Sequence, residues 1–204
     1  MKMVFQLLNE KIIQPQARVK SEEIAAVLES MILKGGVVSN NGRIYQVLCF
    51  VQEDETALKI AKMIAVPPEK INIDTAMEEI RKNLGIALSQ KQSEAVYMAF
   101  RSNLSIITGS PGTGKTTVLR AIIEVHKILY PKGKIMLAAP TGRASRRMAE
   151  STGQNDAKTL HSLLGLLYDS NSVEDDKKEP LDADMIIIDE SSMIDMWLAQ
   201  QLFL

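Results

Sequence analysis

Cysteine is nearly missing from this chain: Cys49 is the single one in 204 residues. One cysteine cannot form an internal disulfide and fits a reducing compartment, so the expected location is cytoplasmic. The two histidines beside it make no zinc site. Long apolar runs are lacking too, since none approaches the ~20 residues that cross a bilayer. The start, Met1–Leu8, is too short for a secretory signal before Asn9, Glu10 and Lys11 intervene. No membrane partner is therefore expected. Nor is there an excess of charge of one sign. A net charge of −1 counts against a histone-like or purely electrostatic binder and leaves room for a local basic patch. Internal repeats and low-complexity tracts are absent. What remains, 46% hydrophobic and 24% charged, is the make-up of a globular protein. Its length suits one ordinary domain, or a small one joined to a larger one.

Against this plain background, Gly109, Ser110, Pro111, Gly112, Thr113, Gly114, Lys115 and Thr116 spell G-x-x-x-x-G-K-[ST]. The apolar, strand-like segment Leu104–Thr108 precedes them, and a helix-like run from Thr117 to Leu129 follows. Glycines let successive N–H groups converge on phosphate oxygens, and the helix start adds its positive end. Lys115 then neutralises charge on the β- and γ-phosphates, and the Thr116 hydroxyl ligates Mg²⁺. Thr117 belongs to the same cradle. A second element agrees. Met185-Ile186-Ile187-Ile188 reads as a strand buried on both faces, and it ends in Asp189-Glu190. Ligands of open α/β sheets bind at such carboxyl ends. Asp189 suits a hold on Mg²⁺, and Glu190 suits the polarisation of an attacking water.

Elsewhere the pattern is coarser. Ser21 is placed to cap a helix with Glu22 and Glu23 in its first turn. Ile24, Val27, Leu28, Met31 and Ile32 form one apolar stripe, which Gly35-Gly36 ends. Val37-Val38 and Ile44–Val47 flank Asn41-Gly42, a strong hairpin signal. This is the order of a winged-helix-like unit. Lys20, Lys34 and Arg43 are its nearby cations, so DNA contact and a packing or partner role both stay open. Thr56–Ala65 predicts a short helix with Ala57, Ile60, Ala61 and Ile64 inward, broken at Val66-Pro67-Pro68. Asp74 caps a further helix with Met77, Ile80 and Leu84 on its buried side.

Gly85 closes the N-terminal region, residues 1–85. After it, strands at Leu104–Thr108, Lys134–Ala139 and Met185–Ile188 alternate with helices. The fold class expected over residues 86–204 is therefore α/β with a parallel sheet. Ser89 and Gln92 form a capping-box pattern before a helix that buries Ala95, Val96 and Ala99. His126 reads as an outer-helix residue, and the polar stretch Asp169–Pro180 as a surface loop.

Two more stretches narrow the field. Ala138-Ala139-Pro140-Thr141-Gly142-Arg143-Ala144-Ser145 follows one strand, and Thr159-Leu160-His161-Ser162-Leu163-Leu164-Gly165 follows a short polar segment. Thr141 and Ser145 can donate to phosphate oxygens, Arg143 adds charge, and Thr159 and His161 can act likewise from a neighbouring loop. A helix cap and a surface imidazole are the plainer reading of that last pair. In order with Gly109–Thr117 and Asp189-Glu190-Ser191-Ser192-Met193, these stretches resemble superfamily-1 DNA helicases of the RecD/TraA type. The likeness covers roughly residues 86–204 and extends more weakly to the N-terminal region. It implies a P-loop NTPase (RecA-like) sheet, ATP with Mg²⁺, 5′-to-3′ movement, and work in DNA repair or recombination. Single-stranded DNA is the implied partner, held along Pro140, Thr141, Arg143, Ser145, Thr159 and His161. Gln92 sits where the family places an adenine-reading glutamine.

A family member also carries a further strand and a second RecA-like domain, whose arginines steady the γ-phosphate and are worth ~10³–10⁵ in rate. This sequence ends at Leu204, inside an expected helix with Met196, Trp197, Leu198 and Leu202. The resemblance therefore implies that this chain alone binds nucleotide without unwinding DNA, the second RecA-like domain being its absent partner. The edge bearing Trp197, Leu198, Leu202 and Phe203 is a candidate for self-association. Another P-loop ATPase, such as a loader or nucleotide kinase, and a nucleotide-gated DNA- or protein-binding module are the competing readings.

Overall fold

The computed structural model describes residues 20–83, 85–166 and 180–204. Met1–Leu8, Leu84 and residues 169–179 of the expected loop lie outside them. The chain divides into two compact units, one ending at Asp54 and one spanning Glu55–Leu204.

The first unit holds α1 (Ser21–Leu33), β1 (Val37–Asn40), β2 (Arg43–Gln46) and the start of α2 (Val47–Ala65). β1 and β2 pair antiparallel with Asn40 opposite Arg43, which leaves Asn41 and Gly42 as the turn. Their φ values of 49° and 74° give the left-handed two-residue turn that suits strand twist. The hairpin is as the Asn-Gly pair predicts. α1 starts one residue sooner than expected. Lys20 is its N-cap, Ser21 its first helical residue, and the Glu23 carboxylate accepts the Lys20 N–H at 3.2 Å. The apolar stripe splits, because Ile24, Leu28 and Ile32 are half-buried while Val27 and Met31 face solvent. A unit this small offers little surface to cover a helix.

α2 is longer than the expected Thr56–Ala65, since the charged run before Thr56 is itself helical. Besides Phe50, its covered positions are Gln52, Thr56, Lys59 and Ile60, at i, i+4, i+7 and i+8, whereas Ala57, Ala61 and Ile64 are exposed. Of the expected inward set only Ile60 is covered, because most of the sheltered side chains carry polar tips that apolar spacing does not score. At the helix end, the Asn103 amide donates to the carbonyls of Met63 and Val66 at 2.9 and 2.7 Å, satisfying acceptors that have no intrahelical partner.

In the second unit, α3 (Asp74–Asn83), α4 (Gln90–Arg101) and α5 (Lys115–Leu129) share one core built from Ile73, Ala76, Ile80, Val96, Phe100, Val118, Ile122 and Val125. The sheet has the order β4-β3-β5 and is parallel throughout, from β3 (Ile135–Ala139), β4 (Lys158–Thr159) and β5 (Met185–Ile188). β3 is central and its period of two shows in the packing. Leu137 meets Ile123 of α5 and Met148 of α6 (Gly142–Thr152) on one face. Ala138 meets Leu160 of α7 (Leu160–Leu163) and Leu198 of α8 (Met196–Phe203) on the other. Leu198 is therefore core rather than an open edge, and it is 3% exposed. The expected strand at Leu104–Thr108 joins no ladder among the described residues. Ile107 packs into the core while Ile106 is 74% exposed. Apolar content secured one anchor there and no hydrogen-bonding partner. Among the described residues no helix is long and apolar enough to cross a membrane.

His126 of α5 departs from its outer-helix reading. It is 2% exposed, neither ring nitrogen has a hydrogen-bond partner among the described residues, and Tyr130 lies against it at 5.0 Å between ring centroids. A Cβ on Gly133 would come within 2.7 Å of the ring, so glycine is what lets the chain close over it. Burial lowers the imidazole pKa, and nearby Asp184 opposes that in part. The unfolded chain, with its imidazole near pH ~6.5, then takes up the proton first. Stability from the neutral ring is present above about pH 6.5 and is lost as pH falls toward the folded value. The urea midpoint of the wild type should drop more between about pH 7.5 and 5.5 than that of His126→Leu. Parallel pH profiles for the two would contradict this.

Candidate functional site

The phosphate loop takes its shape from two left-handed glycines, Gly112 at φ 77° and Gly114 at φ 82°. Gly114 is also the N-cap of α5 and offers no side-chain acceptor, so the first-turn N–H groups of Lys115, Thr116 and Thr117 stay free for an anion. The Lys115 ammonium folds back onto the loop, donating to the carbonyls of Gly109 at 2.6 Å and Ser110 at 3.2 Å. The Thr113 hydroxyl donates to the Ser110 carbonyl at 2.8 Å and closes the turn. Pro111 and Thr116 are exposed. Lys115 is thus already aimed into the cradle, where a phosphate oxygen would compete for it.

The Gln92 side chain ties this loop to α4. Its carbonyl accepts the Ser89 N–H at 2.8 Å, and the Ser89 hydroxyl accepts the Gln92 N–H at 3.4 Å, which completes the capping box. The Gln92 amide also donates to the Thr113 carbonyl at 3.0 Å. A Cβ on Gly114 would collide with that amide. The sequence pattern gave the cap; the bridge across 21 positions had no signal in it.

α5 runs antiparallel to the strands. Its C-terminal part sits beside the amino end of β5, where Asp184 acts on both His126 and Tyr130. From His126 back to Lys115 the helix rises about 16 Å. From Asp184 forward to Asp189 the strand advances about 17 Å. By these lengths the start of α5 is directed toward the carboxyl edge of the sheet, where β5 ends in Asp189. Asp189 is half-buried there, and its N–H donates to the Ala138 carbonyl at 3.0 Å, extending the ladder by one residue. One of its carboxylate oxygens accepts the Glu190 N–H at 2.9 Å. Glu190 is exposed with φ 53°, one of two described non-glycine residues at positive φ. Such a conformation costs on the order of 1–3 kcal/mol and is kept where surroundings impose it. A 3₁₀ turn, Ser191–Met193, follows at once. Nothing in the sequence announced this strained position.

Mg²⁺ is held with few protein ligands, one or two carboxylates alongside substrate phosphates. Asp189 and the exposed Thr116 hydroxyl fit that donor set. Among the described residues no group of three His, Cys, Asp or Glu forms a self-sufficient metal cage.

The expected DNA residues divide. Thr141 caps α6, its hydroxyl oxygen accepting the Ala144 N–H at 3.2 Å, and Thr159 caps α7 by accepting the Ser162 N–H at 3.2 Å. In each the oxygen is used as an acceptor and the hydroxyl hydrogen remains to donate. Ala139 pairs with Thr159 across the ladder, so both threonines stand at the same carboxyl edge as Asp189. Pro140 and His161 are half-buried and Arg143 is exposed. Ser145 differs. It is 5% exposed and donates to the Gly142 carbonyl at 3.1 Å, inside its own helix. His161 has an aromatic neighbour that the sequence did not link to it, Trp197, at 6.3 Å between ring centroids.

Lys115→Ala removes a charge-assisted contact and should weaken Mg²⁺-ATP binding roughly ten- to a hundredfold by calorimetry. Lys115 is exposed and bonds only loop carbonyls, so the denaturation midpoint should hold. Unchanged affinity in the folded variant would remove the loop from the site.

Residues 92–204, more than half of the chain, match the AAA domain family. The ATP-dependent RecD2 DNA helicase of Deinococcus radiodurans is 34% identical over 158 residues, covering 76% of this chain and 21% of that protein. The RecBCD enzyme subunit RecD of Haemophilus influenzae is 35% identical over 146 residues, covering 58% and 23%. An uncharacterized protein of Methanocaldococcus jannaschii is 27% identical over 220 residues, covering 93% and 17%. The chain thus spans about a fifth of the length of these curated relatives. Since the matched stretch runs from Gln92 through the phosphate loop and past Glu190, the chain belongs to the AAA domain family, in the RecD-like branch of the superfamily-1 DNA helicases.

Proposed function

We propose that this chain is the ATP-binding part of a DNA helicase motor that grips single-stranded DNA along the carboxyl edge of its sheet. The observation that supports this most is that Asp189, Thr141 and Thr159 share one carboxyl edge of the sheet, the edge toward which the start of α5 is directed. Nucleotide and strand then touch the same three parallel strands, so a shift at one is felt at the other. In this reading Lys115 and the first turn of α5 hold the phosphates, Thr116 and Asp189 hold Mg²⁺, and Glu190 orients the attacking water. The metal supplies charge neutralisation on the phosphates. Gln92, already bonded to the loop, reads adenine with its remaining donor and acceptor.

Thr141, Arg143, Thr159 and His161 take the DNA backbone with little base preference, since phosphate contacts carry no sequence information. Ser145 drops out of the track. The nucleotide-binding part begins near residue 86, preceded by a winged-helix-like region that assists in packing or partner contact. We place the work in the cytoplasm, in line with the single cysteine, and in DNA repair or recombination with 5′-to-3′ polarity, as the RecD/TraA-type resemblance implies. Nucleotide binding and strand grip belong to this chain. Strand separation belongs to assemblies that add a second RecA-like domain.

The test uses the caps. Thr159→Asp keeps an acceptor for the Ser162 N–H, so α7 stays capped, but it replaces a hydroxyl donor by a negative charge. It should weaken binding of unrelated single-stranded oligonucleotides alike, by roughly tenfold or more, with an unchanged denaturation midpoint. Affinity should also fall steeply with salt in the wild type. Binding untouched by Thr159→Asp, or strong preference for one sequence, would reject this track.

A further inference from the structure

We propose that Trp197 and His161 form a base-stacking site for single-stranded DNA at the carboxyl edge of the sheet. This site rests on the strand-gripping reading above and adds contacts to bases, where the residues assigned so far reach only the backbone. Each ring stands next in sequence to a core leucine: His161 follows Leu160, which is 0% exposed, and Trp197 precedes Leu198, which is 3% exposed. Both leucines lie in one cluster with Ala138 of the central strand. The rings are therefore carried on positions that packing holds fixed. Asp195 adds a clamp, accepting the Leu198 N–H at 2.8 Å and fixing the first turn of α8.

What those fixed positions present is an indole left 42% exposed. An exposed tryptophan forgoes much of the burial that makes so large a ring favourable. Its neighbour does not cover it. The two rings are tilted by 38° with centroids 6.3 Å apart, so they are neighbours that do not close into a face-to-face stack.

The surroundings favour nucleic acid over an apolar partner. Thr159 lies two residues before His161 with its hydroxyl hydrogen free to meet a phosphate, and the exposed cations Lys158 and Arg143 stand beside the two capping threonines. Backbone donors and cations beside an aromatic platform are the combination that holds single strands, and stacking tolerates any base because every base has a π-face.

Trp197 is the only tryptophan in the chain, so intrinsic emission reports on this site alone. The 204-residue chain is titrated at low salt with a labelled oligothymidylate and with an abasic oligonucleotide of equal length, following label anisotropy and tryptophan emission together. The base-bearing strand should bind roughly 5- to 150-fold tighter and quench the emission, while the abasic strand binds through its phosphates and leaves emission in place. Trp197→Phe should keep most of that preference and Trp197→Ala should lose it; the oligonucleotide comparison on the wild type stands even where a variant folds poorly. Equal affinities with unchanged emission would overturn the stacking site and leave the backbone grip intact. Binding of neither strand would overturn both. Quenching that grows with protein concentration without DNA would assign the indole to a second copy of the chain and overturn the proposal.

Discussion

Everything at this site depends on how α5 lies along the sheet. Ile123 of α5 presses on Leu137 of the central strand, and Ile187 of β5 joins the same contact. Helix and strand then advance in opposite directions over nearly equal lengths, so the start of one is directed toward the edge where the other ends. Loss of Leu137 would leave a cavity worth on the order of 2–5 kcal/mol. It would also loosen the register on which the proposed meeting of Lys115 and Asp189 depends. In the proposed reading, chemistry carried by two distant stretches of sequence becomes one site through apolar contact that touches neither.

A second economy lies in the caps. Thr141 and Thr159 each use their hydroxyl oxygen to start a helix, and Ser89 does so with Gln92. Capping consumes acceptors and leaves hydroxyl hydrogens to donate. The same residues can therefore hold local structure and meet an anionic ligand. Gln92 extends this by reaching from its cap to the Thr113 carbonyl, which makes the start of α4 part of the phosphate loop. One amide thus ties the loop to α4.

The sequence made part of this legible and hid the rest for physical reasons. The phosphate loop, the strand ending at Asp189, the Asn41-Gly42 turn and the Ser89–Gln92 cap were readable because each depends on a few residues close in the chain. The α2 stripe was misread because its sheltered side is made by Gln52 and Thr56, which hydropathy scores as outward. His126 departs from its outer-helix reading for a like reason, since an imidazole is not expected to be buried with no hydrogen-bond partner among the described residues. The segment Leu104–Thr108 was apolar enough for a strand, yet a ladder needs a neighbour that no local pattern reveals. Ser145 faces its own helix, and Trp197 meets His161, through folding alone; neither follows from spacing.

The central claim is that Lys115 and Asp189 serve one bound nucleotide, the first through phosphate and the second through Mg²⁺. Calorimetry of ATP binding with magnesium and with chelator, for the wild type and Asp189→Asn, measures that coupling directly. Magnesium should tighten ATP binding to the wild type by roughly 5- to 150-fold, and that gain should largely vanish in the variant while metal-free affinity stays similar. An equal magnesium gain in both proteins would mean that Asp189 is not at the nucleotide, and would contradict the account.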